Sequence, residues 1–418
     1  MKVAPLRPET GSPSWKRKGI PDPDTAEGQR QIESDFSLTL GGPLYQLYLR
    51  TRLAREPLEL LVRRTIAIPL ICWVPLLLLS LATGYALGGV PVPFLLDLEV
   101  HTRFLAGLPL LIIAELIVHQ RINVIVRQFL DRKIVVQKDR ARFDAIMAST
   151  MRMRNSALWE AVLLVLCFSV GHWVWREHLT MRMTTWYGAN SAAGPLLNAA
   201  GYWYAFVSLP IFRFILLRWY FRLFLWYQFL WRVRGLPLQL NLFHPDKAGG
   251  LGFLGASILA FSPVLVAHTT FLAGLIGDRI WHASAALPAF KMQIVASVLF
   301  LMALVLLPLS FFVVHLGRAR RTAVVEYGNL ASRYVDDFRQ KWIKKPSEDT
   351  EPLLGTSDIQ SLADLGNAFN VISDIHLLPY GKQALIRLGI LLVVPLLPLT
   401  LTIVPLKQIV DLLLKLAF

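Results

Sequence analysis

The chain has 418 residues, of which 55% are hydrophobic and only 17% charged, and its mean hydropathy is +0.49. Soluble domains usually carry about 25% charge, so an ordinary soluble protein is excluded. The formal net charge of +15 comes without zinc spacing, a stacking-aromatic module or a helix-turn-helix pattern, which argues against a nucleic-acid partner. In a membrane protein such an excess belongs on cytoplasmic loops, against anionic lipid headgroups.

Residues 1–35 are rich in Pro and charge and contain no apolar run. They read as neither a signal peptide nor a lipidation site, and 1–40 is expected to be a disordered cytoplasmic tail. From there the apolar residues gather into stretches of about 20, enough to cross roughly 30 Å of hydrocarbon. The expected spans are 65–88, 104–120, 157–175, 201–217, 253–276, 291–316 and 384–403. The fold class is therefore all-α: a polytopic transmembrane helix bundle of about seven spans with cytoplasmic amphipathic helices. Residues 41–316 hold the first six spans, 317–383 a cytoplasmic helical segment, and 384–418 the last span with an amphipathic C-terminal helix. Pro69, Pro75, Pro210, Pro263, Pro308, Pro395 and Pro398 fall inside spans and are expected to kink them, since neighbours in a membrane can satisfy the carbonyls that proline frees.

Orientation follows from Lys and Arg. The segments 1–64, 121–156, 232–252 and 317–387 carry thirty-three, against five in 89–103, 176–200 and 277–291. That bias predicts a cytoplasmic N-terminus.

Within the first spans, Cys72 and Cys167 lie in apolar stretches and read as small core residues, with no disulfide or metal site expected. Polar groups inside a span are functional candidates because hydrocarbon penalises them unless they are paired. Glu115 and His119 stand four apart on one face of the second span, where they could relay a proton or simply pair. Glu160 lies near the start of the third span, His172 in its far half, and His268 in the fifth. In 201–234, Arg213, Arg218 and Arg222 recur at spacings of five and four among Trp219, Trp226, Tyr227 and Trp231. This spacing is read as one basic helix face, either anchored in the headgroup layer or lining an anion path. The candidate polar path is Glu115, His119, Arg213 and His268.

After this stretch comes His244-Pro245-Asp246-Lys247, followed by Gly249, Gly250, Gly252 and Gly255. The tripeptide is that of J-domain co-chaperones, but the soluble helical module around it in those proteins is missing. Two readings stand: a tight re-entry turn, or an ion or headgroup site formed by His244, Asp246 and Lys247. Farther on, Leu330, Tyr334, Phe338 and Trp342 form a stripe at i+4 spacing. Ser357 with Gln360 caps a helix bearing Ile359, Leu362, Leu365, Phe369, Ile372 and Ile375, after a linker at 346–355. These stripes are expected to pack on each other or on the cytoplasmic ends of the spans, or else between the subunits of a homo-oligomer. In the tail, Lys407, Asp411 and Lys415 recur every four residues, as in an interfacial amphipathic helix.

Three stretches, RLFLWYQFLWRVRGLPLQLNLFHPDKAGGLGFLG, TSDIQSLADLGNAFNVISDIHLLPYGKQAL and VVPLLPLTLTIVPLKQIVDLLLKL, resemble a group of uncharacterised bacterial multi-pass membrane proteins. The resemblance covers roughly residues 200–418 and implies a bacterial inner-membrane location. That group has no established activity, so no functional residue carries over. No nucleophile elbow, phosphate loop, HExxH motif or paired cysteine motif occurs, which points away from an enzyme and calls for no cofactor or metal. Three functions remain: transport or conduction of an ion or small solute, a membrane scaffold or signalling protein with a helical partner surface, and, with less support, a membrane enzyme acting on lipid or a lipid-linked substrate.

Overall fold

The structure, a computed structural model, describes residues 36–43, 61–179, 184–191, 194–344 and 357–402, with side chains omitted at 170–179, 190–191 and 194–195. The expected tail through residue 35, the linker at 346–355, the tail helix with Lys407, Asp411 and Lys415, and the His172 side chain lie outside the described residues.

Six helices are long and apolar enough to cross a membrane. We call them α1 (Leu61–Ala82), α2 (Leu98–Asp131), α5 (Ala199–Val233), α6 (Leu251–Ala283), α7 (Leu287–Lys344) and α9 (Lys382–Thr402). Between α2 and α5 lie α3 (Arg140–Arg154) and α4 (Ala157–Leu179), the latter occupying the third expected span. The last helix, α8 (Ser357–Ser373), precedes α9. The only sheet among the described residues is a hairpin, β1 (Gly188–Ser191) with β2 (Gly194–Leu197).

The prolines mark where regular helix gives way, because each lacks the N–H that the i−4 carbonyl needs. In α2 and α5 a π-turn (Thr102–Gly107, Tyr204–Ser208) runs directly into a helical segment with Pro109 or Pro210 in its first turn. Pro308 opens a 3₁₀ stretch in α7, and Pro395 and Pro398 lie in the 3₁₀ end of α9. Pro69 and Pro75, by contrast, sit within the unbroken α-helix of α1.

α2 and α5 run parallel at the centre. The Arg103 guanidinium donates to the Tyr204 hydroxyl (2.6 Å), and the Trp219 indole to the Leu111 carbonyl (2.9 Å). α1, α4 and α6 run antiparallel to them. Ser208 reaches the Cys72 carbonyl (2.7 Å), Cys167 the Pro210 carbonyl (3.3 Å), and Tyr220 meets His268 (2.7 Å). The close crossing of α2 and α6 requires glycine: a Cβ on Gly107 would lie 1.7 Å from the Phe271 ring, and one on Gly274 1.8 Å from Thr102 Oγ1. Cys72 and Cys167 are buried free thiols.

The distal half of α7 pairs with α8. Tyr334 donates to the Asp358 carbonyl (3.0 Å), Lys341 and Trp342 reach its carboxylate (2.7 and 3.0 Å), and Arg320 donates to the Ser373 carbonyl. Ala323, Ile372 and Ile375 are the buried core of this hairpin, joined by Tyr327 and Leu242. The two predicted stripes meet each other, with one displacement in each. Leu330 and Ile359 point outward, at 51% and 47% exposure. A strict i+4 row drifts around a helix of 3.6 residues per turn, so Ala323 and Tyr327 continue the contact where Leu330 leaves it.

Candidate functional site: an arginine-rich cluster between the spans

Two spans, α1 and α5, carry arginine to one place. Arg64 on α1 is fully buried and donates to Glu115 Oε2 of α2 at 3.0 Å, while Arg222 on α5 donates to Glu115 Oε1 at 2.7 Å. One turn before Arg222, Arg218 lies 3.6 Å from Glu160 of α4. Arg222 also lies over the Trp219 ring at 4.5 Å. Arg64, Glu115, Arg218 and Arg222 line a small cavity whose other walls are Ile68, Ile112 and Ile215. Each isoleucine is one turn from Arg64, Glu115 or Arg218 on the same side of the cluster, given the helix directions, so a polar ring sits against an apolar one.

On the opposite side lies residues 37–42. Ser37 Oγ is 2.9 Å from His119 Nδ1, and Thr39 Oγ1 donates to the Glu115 carbonyl at 3.1 Å. Arg154, at the end of α3, donates to the Ser37 carbonyl, and Arg218 approaches the Gly41 carbonyl at 3.5 Å. Gly41 (φ +131°) and Gly42 (φ +90°) adopt conformations that favour glycine. A Cβ would meet Asn155 Oδ1 at 2.4 Å from Gly41 and Glu160 Oε1 at 2.8 Å from Gly42. The expected tail boundary at residue 40 is thus corrected: Ser37, Leu38 and Thr39 are buried, because their hydroxyls and carbonyls satisfy the cluster.

Among the described residues four arginines face two glutamates here, a formal excess of two positive charges. The crowding registers on Arg154, where burial first, then the Arg222 and Arg218 charges, push the guanidinium down to about 10. Guanidinium groups present several fixed N–H donors to an anion, and an uncompensated buried charge is costly.

Of the residues singled out from the sequence, Glu115 and His119 belong to this cluster, but the acid is held by two arginines and the histidine by Ser37 rather than by each other. Arg213 is elsewhere. At about 100° per residue it points roughly 140° away from Arg218 and opposite Arg222, so the reading of all three arginines as one face is corrected to Arg218 with Arg222. The headgroup-anchor alternative fails for this pair as well, since Arg218 is 7% and Arg222 3% exposed. Arg213 is half-buried, and no ion pair to it occurs among the described residues. His268 is bonded at both ring nitrogens, Nδ1 to the Val264 carbonyl (2.6 Å) and Nε2 to the Tyr220 hydroxyl (2.7 Å). A carbonyl can only accept, so Nδ1 carries the proton and Nε2 is free to accept from Tyr220.

In the His244–Lys247 turn the Asp246 carboxylate accepts from the amides of Ala248 (2.9 Å), Gly250 (3.1 Å) and Gly252 (2.8 Å). Arg132 stands 3.5 Å away. Burial opposes ionisation, but these amides and His244 outweigh it and hold Asp246 below the usual carboxylate range. Lys247 pairs with Asp374 (3.0 Å), and its carbonyl accepts from His376 (2.7 Å). The turn's polar groups are thus engaged in joining α2, α6 and the segment after α8.

Sequence reasoning missed Arg64 and Arg154. Both sit in charged runs, Arg63-Arg64 and Arg152-Met153-Arg154, which read as flanks of an apolar stretch. Gly41-Gly42 was the available signal for a close approach. Among the described residues no group of acidic, His or Cys side chains could hold a metal ion. No protein-family model matches the chain, and no curated protein or solved structure was found to match it.

Proposed function

We propose that this is a multi-pass inner-membrane protein of seven spans, with a cytoplasmic N-terminus, that binds and passes a small anion through the arginine cluster. The seventh span is α4. The single observation that carries the reading is the imbalance of charge among the described residues: Arg64, Arg154, Arg218 and Arg222 against Glu115 and Glu160, gathered where the spans meet. A purely structural ion-pair network gains most when its charges cancel, because each extra buried ion costs several kcal/mol. An excess of two cations on the wall of a cavity instead raises the local concentration of anions. The apolar ring of Ile68, Ile112 and Ile215 then acts as the constriction beyond the site.

The experiment is ion flux into liposomes holding the purified protein, scanning chloride, potassium and protons under voltage and pH gradients. Chloride flux should appear and fall at least tenfold in Arg222→Gln, while Glu115→Gln should change its selectivity. Absence of flux for every ion, with the protein folded, would sink the reading.

A second reading, a scaffold or signalling protein, is favoured by the α7–α8 hairpin, whose outer faces leave Val325, Leu330 and Ile343 at 63%, 51% and 65% exposure. A photo-crosslinker at position 343 in native membranes should then capture one partner reproducibly.

A further inference from the structure

The arginine cluster is closed by the chain's own backbone. Ser37 and Gly41 present carbonyl oxygens to Arg154 and Arg218, the two arginines of the four that have no direct bond to Glu115 among the described contacts. A carbonyl oxygen carries only a partial negative charge, so this seat satisfies the hydrogen-bond geometry of the guanidinium groups without supplying a counter-charge, and of the two only Arg218 has a carboxylate, Glu160, within 4 Å among the described residues. A true anion would compete for the same donors with a full charge.

Three further features show how finely the segment is seated. Its two hydroxyls each find a partner on α2, Ser37 at His119 and Thr39 at the Glu115 carbonyl. Its two glycines take positive φ, with side-chain oxygens of Asn155 and Glu160 where any Cβ would go. It meets the cluster at His119, the Glu115 carbonyl and Arg218, on the side opposite Ile68, Ile112 and Ile215.

Resting on the anion reading above, we propose that residues 37–42 are a tethered plug that competes with the anion for Arg154 and Arg218, and that opening requires its displacement. It holds the site shut through weak, replaceable contacts, which suits a segment that must leave.

The test uses the full-length protein in membranes and in liposomes. A single reporter thiol, Ser37→Cys with Cys72→Ala and Cys167→Ala, reads the seat through its rate of modification by a water-soluble maleimide. Chloride flux is read on the same variants without the reporter. Gly42→Val cannot adopt the seated backbone cheaply and should speed labelling about tenfold or more, with chloride flux rising several-fold. Thr39→Val, which removes one hydrogen bond and adds no backbone strain, should move both readings in the same direction by a smaller factor and covers the case in which Gly42→Val does not fold.

If labelling accelerates while a measurable native flux stays unchanged, the plug is refuted and the anion reading survives. If labelling accelerates and neither native protein nor variants pass chloride, both are refuted. If neither variant accelerates labelling, the seat does not depend on these contacts, and the plug is refuted on that ground.

Discussion

Glu115 is the residue on which most other charges depend. It accepts from Arg64 and Arg222 with separate oxygens, and its own carbonyl accepts from Thr39. Breaking a buried pair by removing one partner typically costs about 3–5 kcal/mol, because the remaining charge stays buried. Glu115→Gln should therefore lower the melting temperature in detergent by several degrees, and added chloride should restore part of the loss by supplying the missing negative charge. A melting temperature insensitive to chloride in that variant would mean that the cluster takes up no anion. Asp246 offers a pH prediction. Its folded pKa is depressed, so its stabilisation is present above its unfolded value of about 3.9 and is lost as pH falls through the folded pKa. Asp246→Asn should remove about 1.5–3 kcal/mol at neutral pH and abolish that acid-dependent component, read by thermal unfolding between pH 7 and 3.

At the scale of elements, two devices position the site. The first is the glycine crossing of α2 and α6, which brings backbones together where Gly107 meets Phe271 and Gly274 meets Thr102. Small residues at such crossings gain close packing between helices in lipid, where the hydrophobic effect contributes little between them. Gly274→Leu should destabilise the bundle by about 1–3 kcal/mol or more through overpacking and steric separation, measured as loss of the folded monodisperse species after extraction. The second is the α7–α8 hairpin, clamped at its tip by Asp358, which Lys341 and Trp342 hold below the usual carboxylate range. Asp358→Ala should leave the melting temperature nearly unchanged, since the group lies at the surface and is only half-buried, while speeding proteolysis near residue 357. Resistance equal to the native protein would show that the apolar stripes alone close the hairpin. Those stripes were legible as periodicity, and their mutual contact follows from the only cheap way to bury two amphipathic faces. What periodicity could not supply was the rotation of each helix. Leu330 and Ile359 lie off the contact because a row at i+4 precesses.

For the whole molecule, the six long apolar helices identify a chain built for a bilayer, and the distribution of Lys and Arg carries the proposed orientation. Single cysteines at Lys138 and Lys247 should label from the cytoplasmic side, and cysteines at Gly89 and Ser284 from the other. Labelling of all four from one side would break the seven-span topology, and labelling with the two sides exchanged would invert it. Under this topology the plugged mouth of the arginine cluster faces the cytoplasm and the isoleucine ring faces the membrane interior.

The amino-acid sequence by itself determined the class of the molecule and the positions of its apolar helices, because hydrophobic length and period are local properties that a short window contains. It also brought out Glu115 and His119, since a polar group inside an apolar stretch stands out wherever its partner lies. Only the tertiary structure decided that Arg64, Arg154, Arg218 and Arg222 share one site with Glu115 and Glu160, because these residues come from five helices spread over residues 61–233. It likewise separated Arg213 from its two neighbours in sequence and drew residues 37–40 out of an expected tail into the cluster. Charge pairing depends on distance in space, and no one-dimensional pattern encodes which of many arginines will meet a given carboxylate.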